Sequence, residues 1–172
     1  MPSIYEQDLD KTPANFAALS PVSFLERSAD ISPDLTAVIH GQRCYSWAQV
    51  RERSARLANA LLGAGVQRGH TVSVMLSNTP EMLEAHYAVP AVNAVLHALN
   101  TRLDAALIAW QMNHCEASVL ITDREFSSTM KEALDILHNQ YQRHHTTILI
   151  HKLYTQAFLL QAVSNADTRD LQ

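Results

Sequence analysis

Glycine is scarce in this chain. Only Gly41, Gly63, Gly65 and Gly69 occur, and the 103 residues from His70 onward hold none; ordinary usage of about 7% would place roughly seven there. Loops that cradle phosphates depend on glycine, because the backbone must approach the ligand closely and turn through positive φ. Neither GxxxxGK nor GxGxxG occurs, so these residues alone are poorly equipped to grip a triphosphate. Cysteine is equally sparse. Cys44 and Cys115 supply no disulfide framework and no metal quartet, and the expectation is two packed thiols in a reducing compartment, the cytoplasm by default. A net charge of −4 leaves no broad basic surface, which argues against nucleic-acid binding driven by counterion release. Long apolar runs are missing too. Ala88 to Leu99 is interrupted by Asn93 and His97 and is far too short for a membrane span. The opening "MPSIYEQDLDK" has no basic region followed by an apolar one, so no signal peptide is read.

What is present is a clear alternation of strand and helix signals. "SPVSFLERSAD" offers Ser20 as an N-cap and Pro21 at the first helical position, and the residue before Pro33 is pushed out of helical space. "TAVIHGQRCYSW" reads as a small hairpin turning at Gly41. In "SWAQ", Ser46 and Gln49 have capping-box spacing, and Trp47, Val50, Leu57, Ala58, Leu61 and Leu62 recur at helical period until Gly63 and Gly65. "TVSVML" and "ASVLIT" are near-continuous β-rich runs of the kind buried on both faces of a parallel sheet. Between and after them, "TPEMLEAHYAV", "DAALIAWQMNH" and "DREFSSTMKEALDILHNQ" read as helices, with Asp104 as an N-cap and Pro90 expected to kink or break the first. The fold class expected is α/β, a mostly parallel sheet flanked by helices. From about His138 the texture changes. "TTILI" suits one more strand and "KLYTQAFLLQAV" a short helix.

Several segments, in order, carry a likeness: "SPVSFLERSA", "YSWAQVRERSARLANAL", "GVQRGHTVSVMLSNTPEMLEAHYAVP" and "AVLHALNTRLDAALIAWQMNH". Together they resemble the N-terminal part of AMP-forming acyl-CoA synthetases, of the adenylate-forming (AMP-binding) ligase superfamily. The division this implies is residues 1–137 as the N-terminal part of an AMP-binding domain and residues 138–172 as a divergent tail. The resemblance implies a two-step reaction: a carboxylate attacks ATP to give an acyl-adenylate and pyrophosphate, and the thiol of CoA then displaces AMP. It implies ATP, Mg²⁺ and CoA, with a carboxylic or fatty acid as substrate. In the family the phosphate loop, the Mg²⁺-associated acid, the ribose-binding aspartate and the lysine of the mobile lid all lie beyond the region matched. The expectation is therefore a portion of an acid–thiol ligase that is inactive alone. The alternative is a non-catalytic module pairing with a full-length relative or complementary chain that covers an exposed sheet edge. Members in peroxisomes and mitochondria keep those compartments open beside the cytoplasm. Two positions depart from the family: His70 stands where an acid is usual, and Asn93 where glycine is usual.

The candidate site residues are Asn100, Thr101 and Arg102. In the resembling family this turn lies toward the side where the nucleotide part of CoA docks. Arg102 suits a phosphate, and the N-terminus of the following helix adds partial positive charge. The plainer reading has Asn100 and Thr101 satisfying turn backbone and Arg102 solvated. No catalytic residue and no metal ligand is assigned. His138, His144, His145 and His151 lack accompanying cysteines or acids. His86 reads as packing or surface, and His97 as a satisfied residue near a strand end. Arg51, Arg53 and Arg56 read as one wet helix face, and Trp47 and Trp110 as core anchors.

Overall fold

The computed structural model describes residues 10–14, 16, 19–141, 147–151 and 161–163. Helix α1 spans Pro21–Ile31, capped by the Ser20 side chain, which accepts from the Val22 N–H. Strands β1 (Thr36–His40) and β2 (Arg43–Ser46) form a separate antiparallel hairpin. Helix α2 (Trp47–Gly63) starts on the full capping box: Ser46 Oγ accepts from Gln49 N–H while the Gln49 side chain accepts from Ser46 N–H. Then come β3 (Thr71–Met75), α3 (Pro80–Ala91), β4 (Val95–Ala98), α4 (Ala105–His114), β5 (Ala117–Asp123), a short 3₁₀ turn at Arg124–Phe126 and α5 (Ser127–Tyr141). Strands β6 (Thr147–His151) and β7 (Gln161–Val163) complete the set.

The main sheet has the order β4-β3-β5-β6-β7. Its first four strands are parallel neighbours, and β7 pairs antiparallel with β6. Val72 and Val74 on β3 face a core with α2 and α3, through Leu57, Leu61, Ala85 and Val89. Met75 on β3 and Leu120 on β5 face the opposite core with α4 and α5, through Ile108, Met112, Met130 and Leu137. The sheet is thus sandwiched between two helical layers, which is why its central strands carry apolar residues on both faces. Each fully buried aliphatic side chain adds about 1.5–3 kcal/mol.

The reading of "TTILI" as a strand is matched by β6. The helix read over "KLYTQAFLLQAV" is corrected at its end. Gln161–Val163 is extended, because pairing with Ile148–Ile150 satisfies its backbone, while residues 152–160 lie outside the described residues. Helix α3 runs through Pro90 and ends one residue later, at Ala91. The chain then reverses through Asn93, whose φ is +58°. Asparagine tolerates this left-handed conformation better than most residues. His70 has a local task as well, its Nδ1 accepting from the Gln67 N–H at 3.2 Å.

Candidate functional site

The turn at Asn100–Arg102 leaves the carboxyl end of β4 and leads into α4. All three residues are exposed. Asn100 closes the turn locally: its Oδ1 accepts from the Arg102 N–H at 2.9 Å, and its carbonyl accepts from the Leu103 N–H at 3.2 Å. The start of α4 is occupied by its own acid, Asp104 Oδ1 accepting from Leu107 N–H at 2.8 Å. That carboxylate offsets the positive end of the helix dipole. Any anion at this turn therefore depends on the Arg102 guanidinium more than on the helix N-terminus.

The parallel strands end on the same side of the sheet. Successive crossovers place α3 on one face and α4 and α5 on the other, so the outgoing loops of the adjacent strands β3 and β5 diverge. Open α/β sheets bind ligands at such switch points. Here the divergent loops are tied together: Ser77 Oγ donates to Glu125 Oε1. Beside the β3 loop, at the start of α3, lies a cleft of about 510 Å³. Val38 and Ile39 of the hairpin form one wall, Met82, Leu83 and Tyr87 of α3 the other, and Pro21 of α1 closes an end. His86 also lines it, with Nδ1 2.8 Å from the Met82 carbonyl, a role the sequence did not indicate.

The wet-face reading of the arginines holds for two of the three. Arg51 pairs with Asp30 at 2.6 Å, and Arg56 pairs with Glu52 one turn away. Arg53 is corrected: only 17% of its side chain is exposed, and its Nε donates to Glu84 Oε1 at 2.5 Å. Glu84 is 1% exposed and Glu81 4%. Arg43 reaches from β2 to grip Glu81 at 2.6 and 3.3 Å, and Arg53 approaches the same carboxylate at 3.5 Å. The Arg53 guanidinium also lies over the Tyr45 ring, 4.6 Å from its centre. Burial pushes the Glu84 carboxyl up to about 7, with the Arg53 hydrogen bond and charge opposing it. This network fastens the hairpin to α3. No sequence spacing announced it, because its members come from β2, α2 and α3.

His97 lies within β4, half-buried. Burial lowers its pKa, and a side-chain hydrogen bond with Gln111 works against that. Ser73 Oγ is 2.9 Å and Cys115 Sγ 3.2 Å from its Nδ1. Cys115 is half-buried and packs against the α4–α5 core, as expected, while Cys44 is exposed on β2 rather than packed. The core-anchor expectation fails for Trp110, which is 49% exposed and stacks on His114 with ring centres 5.1 Å apart. The buried positions of α4 are Ala105, Ile108, Ala109 and Met112, which put residue 110 on the outer face. Trp47 is half-buried.

Neither phosphate-loop glycine pattern occurs in the sequence. A Cβ placed on any of the four glycines would meet nothing within 4 Å, and Gly41, Gly65 and Gly69 serve positive-φ turns. Among the described residues no three His, Cys, Asp or Glu side chains converge as a metal site; His144 and His145 lie outside them. No described helix is long and apolar enough to cross a membrane.

Comparison with known proteins places this arrangement. The family model described as AMP-binding enzyme matches residues 25–170. An acetate–CoA ligase of Humulus lupulus is 42% identical over 143 residues, covering 83% of this chain and 25% of that protein. A peroxisomal acetate/butyrate–CoA ligase of Arabidopsis thaliana is 42% identical over 130 residues, covering 76% and 23%. Among solved structures, a putative long-chain-fatty-acid CoA ligase of Rhodopseudomonas palustris superposes with a TM-score of 0.70 at 25% identity, over 89% of this chain and 36% of that one. The chain spans about a quarter of the length of these curated relatives.

Proposed function

Because this chain belongs to the AMP-binding enzyme family, we propose that its residues serve in the activation of a carboxylic or fatty acid to its CoA thioester, through an acyl-adenylate formed from ATP. In that reaction the sheet and its two helical layers are scaffold. The turn at Asn100–Arg102 is the CoA-facing edge, with Arg102 holding a phosphate of the nucleotide part. The observation that carries the reading is the 42% identity to ligases named for acetate and butyrate. The exposure of all three turn residues at the carboxyl end of a parallel strand supports it. ATP and Mg²⁺ enter this proposal as reactants held by other residues of the ligase, since catalysis of phosphoryl chemistry needs preorganised charge around the phosphates. These 172 residues alone form no acyl-adenylate.

The test is a chimaera in which these residues replace the corresponding quarter of the Humulus lupulus acetate–CoA ligase. Acetyl-CoA formation is expected, and Arg102→Ala in the chimaera raises KM for CoA while kcat is kept. An unchanged KM refutes the CoA-facing edge. Saturable, Mg²⁺-dependent ATP binding by the 172-residue chain, read by calorimetry, refutes the division of labour. A second reading, a non-catalytic module that pairs with a full-length relative or complementary chain, is favoured by the apolar cleft and by Ile39, Leu83 and Leu35 exposed on the hairpin, on α3 and beside the hairpin. A discrete complex on size exclusion, formed with the remaining part of the ligase, supports it. Aggregation alone sinks it.

A further inference from the structure

The cleft beside the β3 loop has the hairpin for one wall and α3 for the other, and the network of Arg43, Arg53, Glu81 and Glu84 fastens those walls together. Val38, Met82, Leu83 and Tyr87 make its sides apolar, and the exposed residues His40 and His86 line it as well. We propose that this cleft binds a medium-chain fatty acid, with the hydrocarbon tail between the hairpin and α3 and the carboxylate on the His40 ring.

Three observations carry it. The first is size and lining. At about 510 Å³ the cleft falls within the range of about 300–1,000 Å³ usual for small-molecule sites, which are likewise apolar with a few polar groups. The second is a donor held in place. Arg43 Nη2 lies 3.2 Å from His40 Nδ1. A guanidinium only donates, so Nδ1 is the accepting nitrogen and Nε2 carries the ring proton. Arg43 is itself held by the buried Glu81 carboxylate at 2.6 and 3.3 Å. The run of bonds from Glu81 through Arg43 thus fixes the His40 tautomer and leaves its Nε2–H for an acceptor. The third is charge. No described residue lining the cleft is acidic, in a chain of net charge −4. Beside it stand two guanidiniums, Arg43 and Arg53, against two carboxyls, of which Glu84 is pushed up to about 7 by burial. At neutral pH these four groups carry a surplus of positive charge, which favours an anion in the cleft over a neutral amphiphile.

Tail and head contribute separately. Each methylene buried against the walls tightens binding about fourfold, so affinity climbs with chain length until the cleft is filled, and a two-carbon acid has no tail to bury. A hydrogen bond to a charged acceptor is roughly twice as strong as one to a neutral acceptor, which makes an alcohol of equal length about tenfold the weaker ligand. The inference goes beyond the ligase reading and does not rest on it, since neither ATP nor CoA enters.

The experiment titrates the whole chain with octanoate, hexanoate, octan-1-ol and acetate at pH 7, read by isothermal titration calorimetry, with urea midpoints to check folding. Saturable one-to-one binding of octanoate is expected, about tenfold tighter than octan-1-ol and about fifteenfold tighter than hexanoate, with no binding of acetate. Leu83→Glu sets a like charge on the α3 wall at an exposed position and abolishes octanoate binding at an unchanged urea midpoint. Where that midpoint falls, Ile39→Glu on the exposed hairpin wall replaces it. His40→Leu weakens octanoate about tenfold and leaves octan-1-ol unchanged, which a nonspecific apolar surface would not do. Leu107→Glu, on the outer face of α4, changes neither. Octan-1-ol as tight as octanoate, octanoate binding unchanged by a charge on the cleft wall, or no saturable binding overturns the proposal. So does capture of the remaining part of the ligase by a chain that takes no octanoate, which assigns the cleft to the pairing partner.

Discussion

Replacing Glu84 by glutamine should flatten the dependence of stability on pH. The carboxyl is 1% exposed and its pKa lies at about 7, against an ordinary 4.5, chiefly because burial disfavours the charged form. Folded protein therefore binds this proton more tightly than unfolded chain. The stability it contributes is complete below about pH 4.5 and is lost as pH rises through 7. At about 1.36 kcal/mol per pH unit, the loss amounts to about 3 kcal/mol across that window. Relaxation around Arg53 makes about 2 kcal/mol the working figure. Urea unfolding at several pH values between 4.5 and 8 measures it, taking the difference between parent and Glu84→Gln at each pH. That difference should shift in favour of the variant by about 2 kcal/mol on going from the acid to the alkaline end. Parallel curves for the two proteins would falsify the claim that burial outweighs the Arg53 pairing.

Arg53→Met removes the partner and leaves two buried carboxylates; we expect about 3–5 kcal/mol of destabilisation at pH 8, with a smaller loss at pH 6, where Glu84 takes up a proton, by the same unfolding measurement. Leu120→Ala empties a fully buried position between β5 and the α4–α5 layer and should cost about 2–5 kcal/mol; a cost below 1 kcal/mol would mean that the layer collapses onto the gap. Asp104→Ala deletes the cap of α4 and should cost about 1 kcal/mol, visible as a lower urea midpoint with an unchanged slope. Asn93→Val places a β-branched residue at φ +58° and should destabilise by about 1–2 kcal/mol, whereas Asn93→Gly should be neutral or slightly stabilising in the same assay.

The local grammar of the chain determined a good deal. Ser20 with Pro21, Ser46 with Gln49, and Asp104 begin helices where their side chains predict, because a cap is decided by residues three apart and needs no tertiary partner. The runs Thr71–Leu76 and Ala117–Thr122 announced strands covered on both faces, since a doubly packed parallel sheet asks for near-continuous apolar side chains, and the strands formed are Thr71–Met75 and Ala117–Asp123. The turn at Asn100–Arg102 was legible as a turn and as exposed, but its Asp104 neighbour, read as a cap, also tempers the anion site it seemed to offer. What the chain alone did not decide was everything that depends on which faces meet. Arg53 shares its spacing with Arg51 and Arg56, yet only Arg53 turns inward, because Glu84 and Glu81 arrive from α3 and Tyr45 from β2. Trp110 lies outside because α4 settles on its Ala, Ile and Met face. The meeting of Ser73, His97 and Cys115 exists only because β4 pairs with β3 while α4 crosses behind them. Periodicity along a chain records burial and capping, whereas the partners of a buried charge or thiol are fixed by strand order and crossover, which no short window of residues contains.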